Sequence, residues 1–158
     1  MKIFKFGGAS VKDADGVRNI LCVLKHTGFK DTFIVVSAMG KTTNELEKVV
    51  QSYFENKEQF PKKFEAVRSN HHKIIEGLFT DDKMLVSEKI DALFNEALNF
   101  LSDNAVSNYS LVYDQVVSIG ELASSTIISY YMRHEDIENT WLDARKCIKT
   151  DTYYRDAN

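Results

Sequence analysis

The sequence predicts an α/β fold with a mostly parallel sheet, flanking helices and a helical excursion over residues 61–108. Three observations carry the prediction. Residues 3–36 read as strand, helix, strand with a glycine turn after the first strand; several amphipathic helices follow; and a strand signal returns near residue 140. Strands alternating with helical stretches give parallel pairs with right-handed crossovers.

Each element has a local reason. Ile3 to Phe6 is a short apolar run stopped by Gly7-Gly8, as a strand entering a tight turn would be. Ser10 reads as an N-cap, with Asp13 completing a capping-box pattern, and Val11, Ala14, Val17, Leu21 and Leu24 share one helical face that Gly28 ends. Thr32-Phe33-Ile34-Val35-Val36 is β-branched and apolar enough for a strand buried on both faces. After a loop at Ser37 to Lys41, Thr42 with Glu45 suggests the cap of a second helix burying Leu46, Val49, Val50, Tyr53 and Phe54.

Pro61 suits the first position of a third helix, with Phe64, Val67, Ile74, Ile75 and Leu78 as its stripe up to the break at Thr80-Asp81-Asp82. A fourth helix carries Ile90, Leu93, Phe94, Ala97, Leu98 and Leu101, and a fifth, from Val112, buries Val116, Ile119, Ala123, Ile127 and Tyr130. Thr140-Trp141-Leu142-Asp143 reads as a strand, and a further short one is expected around Lys146 to Thr150. That makes only three or four strands, and a parallel sheet needs helices on both faces. The expectation is therefore that residues 1–158 are the N-terminal piece of a longer protein.

Composition narrows the function classes. The 158 residues include one proline, seven glycines and two cysteines, with 44% hydrophobic and 27% charged residues, which excludes collagen-like, low-complexity and disulfide-scaffold chains. With 20 Lys and Arg against 23 Asp and Glu, the charge of -3 lacks the basic excess of a nucleic-acid binder. No apolar run approaches the roughly 18 residues of a membrane span, and the early Gly7-Gly8 leaves no room for a signal-peptide core. Cys22 and Cys147 lie far apart in sequence, so no CxxC pair or zinc knuckle can be drawn, and two reduced thiols in a cytoplasmic protein are expected.

Three segments could carry chemistry. In Lys5-Phe6-Gly7-Gly8-Ala9-Ser10, the glycines free backbone N–H groups at a helix start and Lys5 supplies a full charge, a combination suited to phosphate. An ordinary turn with a solvated lysine explains the same residues equally well. Ser37-Ala38-Met39-Gly40-Lys41-Thr42-Thr43-Asn44 offers hydroxyls at the C-terminal end of a strand, where open α/β sheets bind ligands. It is no P-loop, since Val35 stands where the motif requires glycine, and Thr42 reads more simply as a cap. In Ser118-Ile119-Gly120-Glu121, a glycine inside a helix indicates close packing or a ligand's approach, with Glu121 beside it. His71 and His72, adjacent on a helix, point about 100° apart and read as surface residues with no shared metal. The tyrosines at 130, 131, 153 and 154 lack interleaved basic residues and read as core or buried contacts.

Together the three segments resemble the aspartate kinases of the amino-acid kinase fold. Lys5-Phe6-Gly7-Gly8-Ala9-Ser10-Val11 is similar to the family's K-F-G-G-T-S-V opening, and Val35-Val36-Ser37-Ala38-Met39-Gly40 with Thr42-Thr43-Asn44 to its second loop. Val117-Ser118-Ile119-Gly120-Glu121 resembles V-S-x-G-E, and Trp141-Leu142-Asp143-Ala144-Arg145 with Thr150-Asp151 resembles the segment that follows. The likeness runs in the family's order along essentially the whole chain.

The resemblance implies transfer of the γ-phosphoryl group of ATP to the side-chain carboxylate of L-aspartate, the first step toward lysine, threonine and methionine, in a cytoplasmic enzyme whose full-length parent is a homo-oligomer. It implies that Lys5 is catalytic and contacts the phosphates, that Gly7 and Gly8 give backbone access and Ser37 lines the nucleotide side. Thr43 and Glu121 would hold aspartate, Glu121 through the α-ammonium group. Mg2+ would be held mainly through the nucleotide, with no metal ligands of the chain's own, and neither nucleic acid nor membrane is an expected partner. Ala9 departs from the family's threonine, and Leu122 stands where arginine is common. The family's R-G-G-S-D-like segment, base pocket and ACT domains have no counterpart here, so the fragment alone is expected to be inactive. The alternatives are a carbamate, acetylglutamate, glutamate or uridylate kinase of the same fold, or a non-catalytic small-molecule binding module.

Overall fold

The computed structural model describes residues 1–103 and 107–149. Strand β1 (Lys2–Phe6) and strand β2 (Thr32–Val36) pair in parallel, with Ile3 opposite Phe33 and Lys5 opposite Val35. Helix α1 (Ala14–Thr27) makes the crossover. It ends at Gly28, whose φ of 77° is open to glycine at little cost, and the Lys2 ammonium donates to the Thr27 carbonyl at 2.6 Å.

The residues between β1 and α1 depart from expectation. Gly8–Val11 form a 3-10 turn, and the cap of α1 is Asp13, extended at φ -153°, whose carboxylate accepts from Gly16 N at 2.8 Å. Ser10 is not the cap, because it lies inside the 3-10 turn and the helix starts only after Asp13. Thr42 likewise is not the N-cap of α2 (Thr42–Glu55) but its first residue, and its hydroxyl donates back to the Met39 carbonyl at 2.6 Å.

Helix α3 (Phe60–Leu78), with Pro61 in its first turn, and helix α4 (Lys83–Asp103) form the excursion. They are integral to the core: α3 packs on α1, α2 and α4, and α4 packs on α6 (Ile119–His134). Arg68 and His72 of α3 both bond Asp91 Oδ1 of α4 at 2.7 Å, a three-way polar clip across the hairpin. The expected single fifth helix is two, α5 (Tyr109–Val117) and α6, broken at Ser118. The core runs through all of them, from Val17, Ile20 and Leu24 of α1 to Phe64, Phe94, Val116 and Ile127.

The sheet is smaller than predicted. Thr140–Asp143 form no strand, because these residues meet no ladder partner; Trp141 instead donates its indole N–H to Ser125 Oγ at 3.0 Å. Asp143 caps a single helical turn, α7 (Ala144–Cys147), where the further short strand was expected. Thr150 and the tyrosines at 153 and 154 lie outside the described residues. Nor is β2 buried on both faces. Phe4, Phe6, Ile34 and Val36 face the helices, whereas Ile3, Phe33 and Val35 are 65%, 49% and 40% exposed. No described helix covers that second face, and none is long and apolar enough to cross a membrane.

Candidate functional site

The three sequence segments meet at the C-terminal end of the parallel pair. Ser37 N donates to the Phe6 carbonyl at 3.0 Å, extending the ladder by one step into the loops, and Gly40 N donates to the Gly8 carbonyl at 2.9 Å. Gly8 permits this approach: a Cβ on it would stand 2.9 Å from both the Ala38 and the Gly40 carbonyl oxygens. A Cβ on Gly7 would meet nothing within 4 Å. The two glycines therefore differ in kind, Gly8 docking one loop on the other and Gly7 leaving open space.

The third segment closes on the same loop. Gly120 is not mid-helix but second in α6, and a Cβ there would stand 3.0 Å from Ala38 Cβ, 3.1 Å from Thr42 Cγ2 and 3.3 Å from Leu46 Cδ1. Next to it, Glu121 Oε1 accepts from Ala38 N at 3.3 Å while the side chain stays exposed. Thr42 is committed to Met39 and buried, which leaves half-buried Thr43 as the hydroxyl of the first turn of α2 with no hydrogen bond among the described residues. Lys5 lies two residues before the turn. Its pairing with Val35 puts it on the open face of the sheet, and it makes no ion pair among the described residues. The first turns of α2 and α6 thus gather at the same end of the parallel pair as Gly7 and Gly8, two residues from Lys5, an arrangement suited to anionic groups. Among the described residues no group of three or more His, Cys, Asp or Glu gathers as a metal site.

Sequence reasoning missed His71. It is 1% exposed rather than on the surface, with Nδ1 bonded to the Val67 carbonyl at 2.8 Å and Nε2 without a partner. The signal was there: position 71 continues the Phe64, Val67, Ile75 and Leu78 stripe. Burial pushes its pKa below the ordinary imidazole value, against the opposing pull of the Val67 bond. His72 is half-buried on Asp91. Burial acts to raise the Asp91 carboxyl, but hydrogen bonds from Arg68 and His72 outweigh it and hold the group below the usual carboxylate range.

The amino acid kinase family model matches residues 1–158. The chain belongs to the amino acid kinase family. Lysine-sensitive aspartokinase 3 of Escherichia coli is 30% identical over 149 residues, covering 94% of this chain and 32% of the relative. Bifunctional aspartokinase/homoserine dehydrogenase 2 of Arabidopsis thaliana is 26% identical, covering 92% of this chain and 16% of its own length. The crystal structure of E. coli aspartokinase III with aspartate and ADP superposes with a TM-score of 0.84 at 27% identity, over 99% of this chain and 34% of that one. The chain thus spans between 16% and 34% of these relatives and matches the aspartokinase part of the amino-acid kinase fold, mostly helical here with a small parallel sheet.

Proposed function

We propose that the complete protein carrying this chain is an aspartate kinase, transferring the γ-phosphoryl group of ATP to the β-carboxylate of L-aspartate. The observation that carries the reading is the junction at Ala38, where Gly8, Gly120 and Glu121 all close on one loop at the end of the parallel pair. The aspartokinase relatives favour aspartate over the substrates of other family members.

The attacking carboxylate is ionised at pH 7, so no general base is required and catalysis reduces to positioning and charge stabilisation. Lys5 would neutralise charge on the phosphates, with Gly7 as the point where they approach the backbone and Ser37 beside the nucleotide. Thr43 and Glu121 would hold aspartate, the free Glu121 oxygen taking its ammonium group. Mg2+ would arrive with the nucleotide. The residues here supply the acceptor half of a site and part of a phosphate cradle, so the fragment by itself would have little activity.

Loss of one preorganised charge-stabilising group costs about 10²–10³ in rate. Lys5→Ala in the full-length enzyme should lower kcat by that factor, and wild-type turnover would remove Lys5 from the mechanism. Calorimetric titration with L-aspartate tests the acceptor half separately. Saturable binding abolished by Glu121→Ala supports it, and binding untouched by that substitution would place the acceptor elsewhere.

A further inference from the structure

A cavity of about 510 Å³ lies between α4, the C-terminal half of α6 and the segment Asn139–Trp141. It shares no lining residue with the junction at Ala38, and its first residue on α6, Thr126, follows Glu121 by more than a turn. Leu93, Tyr130 and Trp141 give it apolar and aromatic surface from three elements. Trp141 spends its indole N–H on Ser125, so what it offers the cavity is ring. Volume and lining suit an organic ligand better than a bare ion, since small-molecule sites run to about 300–1,000 Å³ and are mostly apolar with a few placed polar groups.

Two of its polar residues satisfy each other. Ser129 Oγ donates to Asn139 Oδ1 at 2.6 Å, and the Asn139 amide nitrogen donates to the Ser129 and Ile137 carbonyls. Arg133 is different. It is exposed as a residue, yet its guanidinium stands 5.3 Å from the centre of the Tyr130 ring and donates to the Oγ of buried Ser129 at 3.2 Å. A serine and an aromatic face therefore hold the planar fork in one orientation, with N–H groups to spare and no ion pair among the described residues. A fork held this way loses less freedom on binding a carboxylate than a solvated lysine does. Lys89 adds a second cation, and no carboxylate lines the cavity.

We propose that this cavity binds a small organic carboxylate carrying a flat aromatic ring, with the carboxylate on the Arg133 fork and the ring against Tyr130, Trp141 and Leu93. Guanidinium and carboxylate match in two parallel hydrogen bonds, and the ring removes apolar surface of both partners from water. The assignment is independent of the kinase reading, because none of these residues belongs to the loops that converge at Ala38.

Three probes separate the two requirements when the full-length protein is titrated calorimetrically. Indole-3-acetate has both ring and carboxylate, tryptamine keeps the ring but carries a positive charge, and acetate keeps the charge without the ring. Indole-3-acetate should bind saturably. Tryptamine and acetate should each bind at least about tenfold more weakly, the one losing charge-assisted hydrogen bonds and the other the buried ring. Arg133→Gln removes the charge at an exposed position outside the core; it should weaken indole-3-acetate about tenfold or more and abolish the preference over tryptamine. Lys5→Ala should leave the indole-3-acetate affinity unchanged whatever it does to turnover, which keeps this site and the kinase reading separately testable. Absence of saturable indole-3-acetate binding, equal binding of tryptamine or acetate, wild-type affinity in Arg133→Gln, or lost affinity in Lys5→Ala would each overturn the proposal.

Discussion

Gly7 and Gly8 are neighbours in one turn, and the structure predicts opposite outcomes for the same substitution at each. At Gly8, an added Cβ stands 2.9 Å from two backbone carbonyl oxygens that cannot rotate away. The Ser37–Lys41 loop would have to retreat by several tenths of an ångström, and the Gly40 to Gly8 hydrogen bond would stretch with it. Overpacking of this kind costs about 1–3 kcal/mol. In a chain of this size each kcal/mol lowers Tm by about 2–4 °C, so Gly8→Ala should melt about 2–12 °C below wild type. At Gly7 the backbone is ordinary and extended, at φ -78° and ψ 167°, and the Cβ enters open space. Gly7→Ala should leave Tm unchanged or raise it slightly, because alanine narrows the unfolded ensemble by about 0.4–1 kcal/mol. If phosphate approaches the chain there, the same silent methyl raises KM for ATP. Thermal unfolding by circular dichroism, with steady-state kinetics on the full-length enzyme, reads both quantities. A Gly8→Ala protein melting with wild type, or a Gly7→Ala protein with unaltered ATP kinetics, would refute the division of labour between the two glycines.

Three further predictions follow from contacts already described. Gly120→Ala, with neighbours at 3.0–3.3 Å, should cost about 1–3 kcal/mol and raise KM for aspartate by displacing Glu121, measured by denaturant unfolding and kinetics. His71 has its folded pKa lowered by burial, so the unfolded chain binds the extra proton; its contribution to stability is intact above about pH 6.5 and is lost as pH falls below that. A stability profile from pH 7.5 to about 5 should slope downward in wild type and flatten in His71→Phe. Asp91 is also lowered, so its contribution is present above about pH 4 and lost on further acidification. With its side chain a third exposed, Asp91→Asn should cost only about 0.5–1.5 kcal/mol in chemical denaturation at pH 7.

Where a residue's fate depends on its near neighbours, the sequence was sufficient: β1 stops at the glycine pair, Gly28 closes α1, and Pro61 opens α3. Where two local solutions compete, it was not. Ser10 and Asp13 both cap helices well, and only the 3-10 turn that takes up Ser10 decides for Asp13. Thr140–Asp143 has strand character, but a strand needs a ladder, and propensity cannot supply the neighbour. Read as an internal helical residue, Gly120 stood out for the right reason, close packing, yet its three contacts lie on Ala38, Thr42 and Leu46, far off in sequence. The candidate site was legible as three separate motifs; that they share a single junction at Ala38 is a property of the tertiary structure.

The two-stranded ladder also fixes which amides look outward. Lys2 N bonds the Asp31 carbonyl and Ser37 N bonds the Phe6 carbonyl, so the period-two alternation of a parallel pair turns the N–H groups of Ile3 and Lys5, and of Ile34 and Val36, toward the two outer edges. In this chain those four should exchange with deuterium within the fast window, while Phe4, Phe6, Phe33 and Val35 remain protected between the strands. A strand added beside β1 would slow Ile3 and Lys5, and one added beside β2 would slow Ile34 and Val36. The four positions thus form a built-in gauge of sheet growth, with the amide of Lys5 reporting on the outer edge of β1 while its side chain stands on the open face.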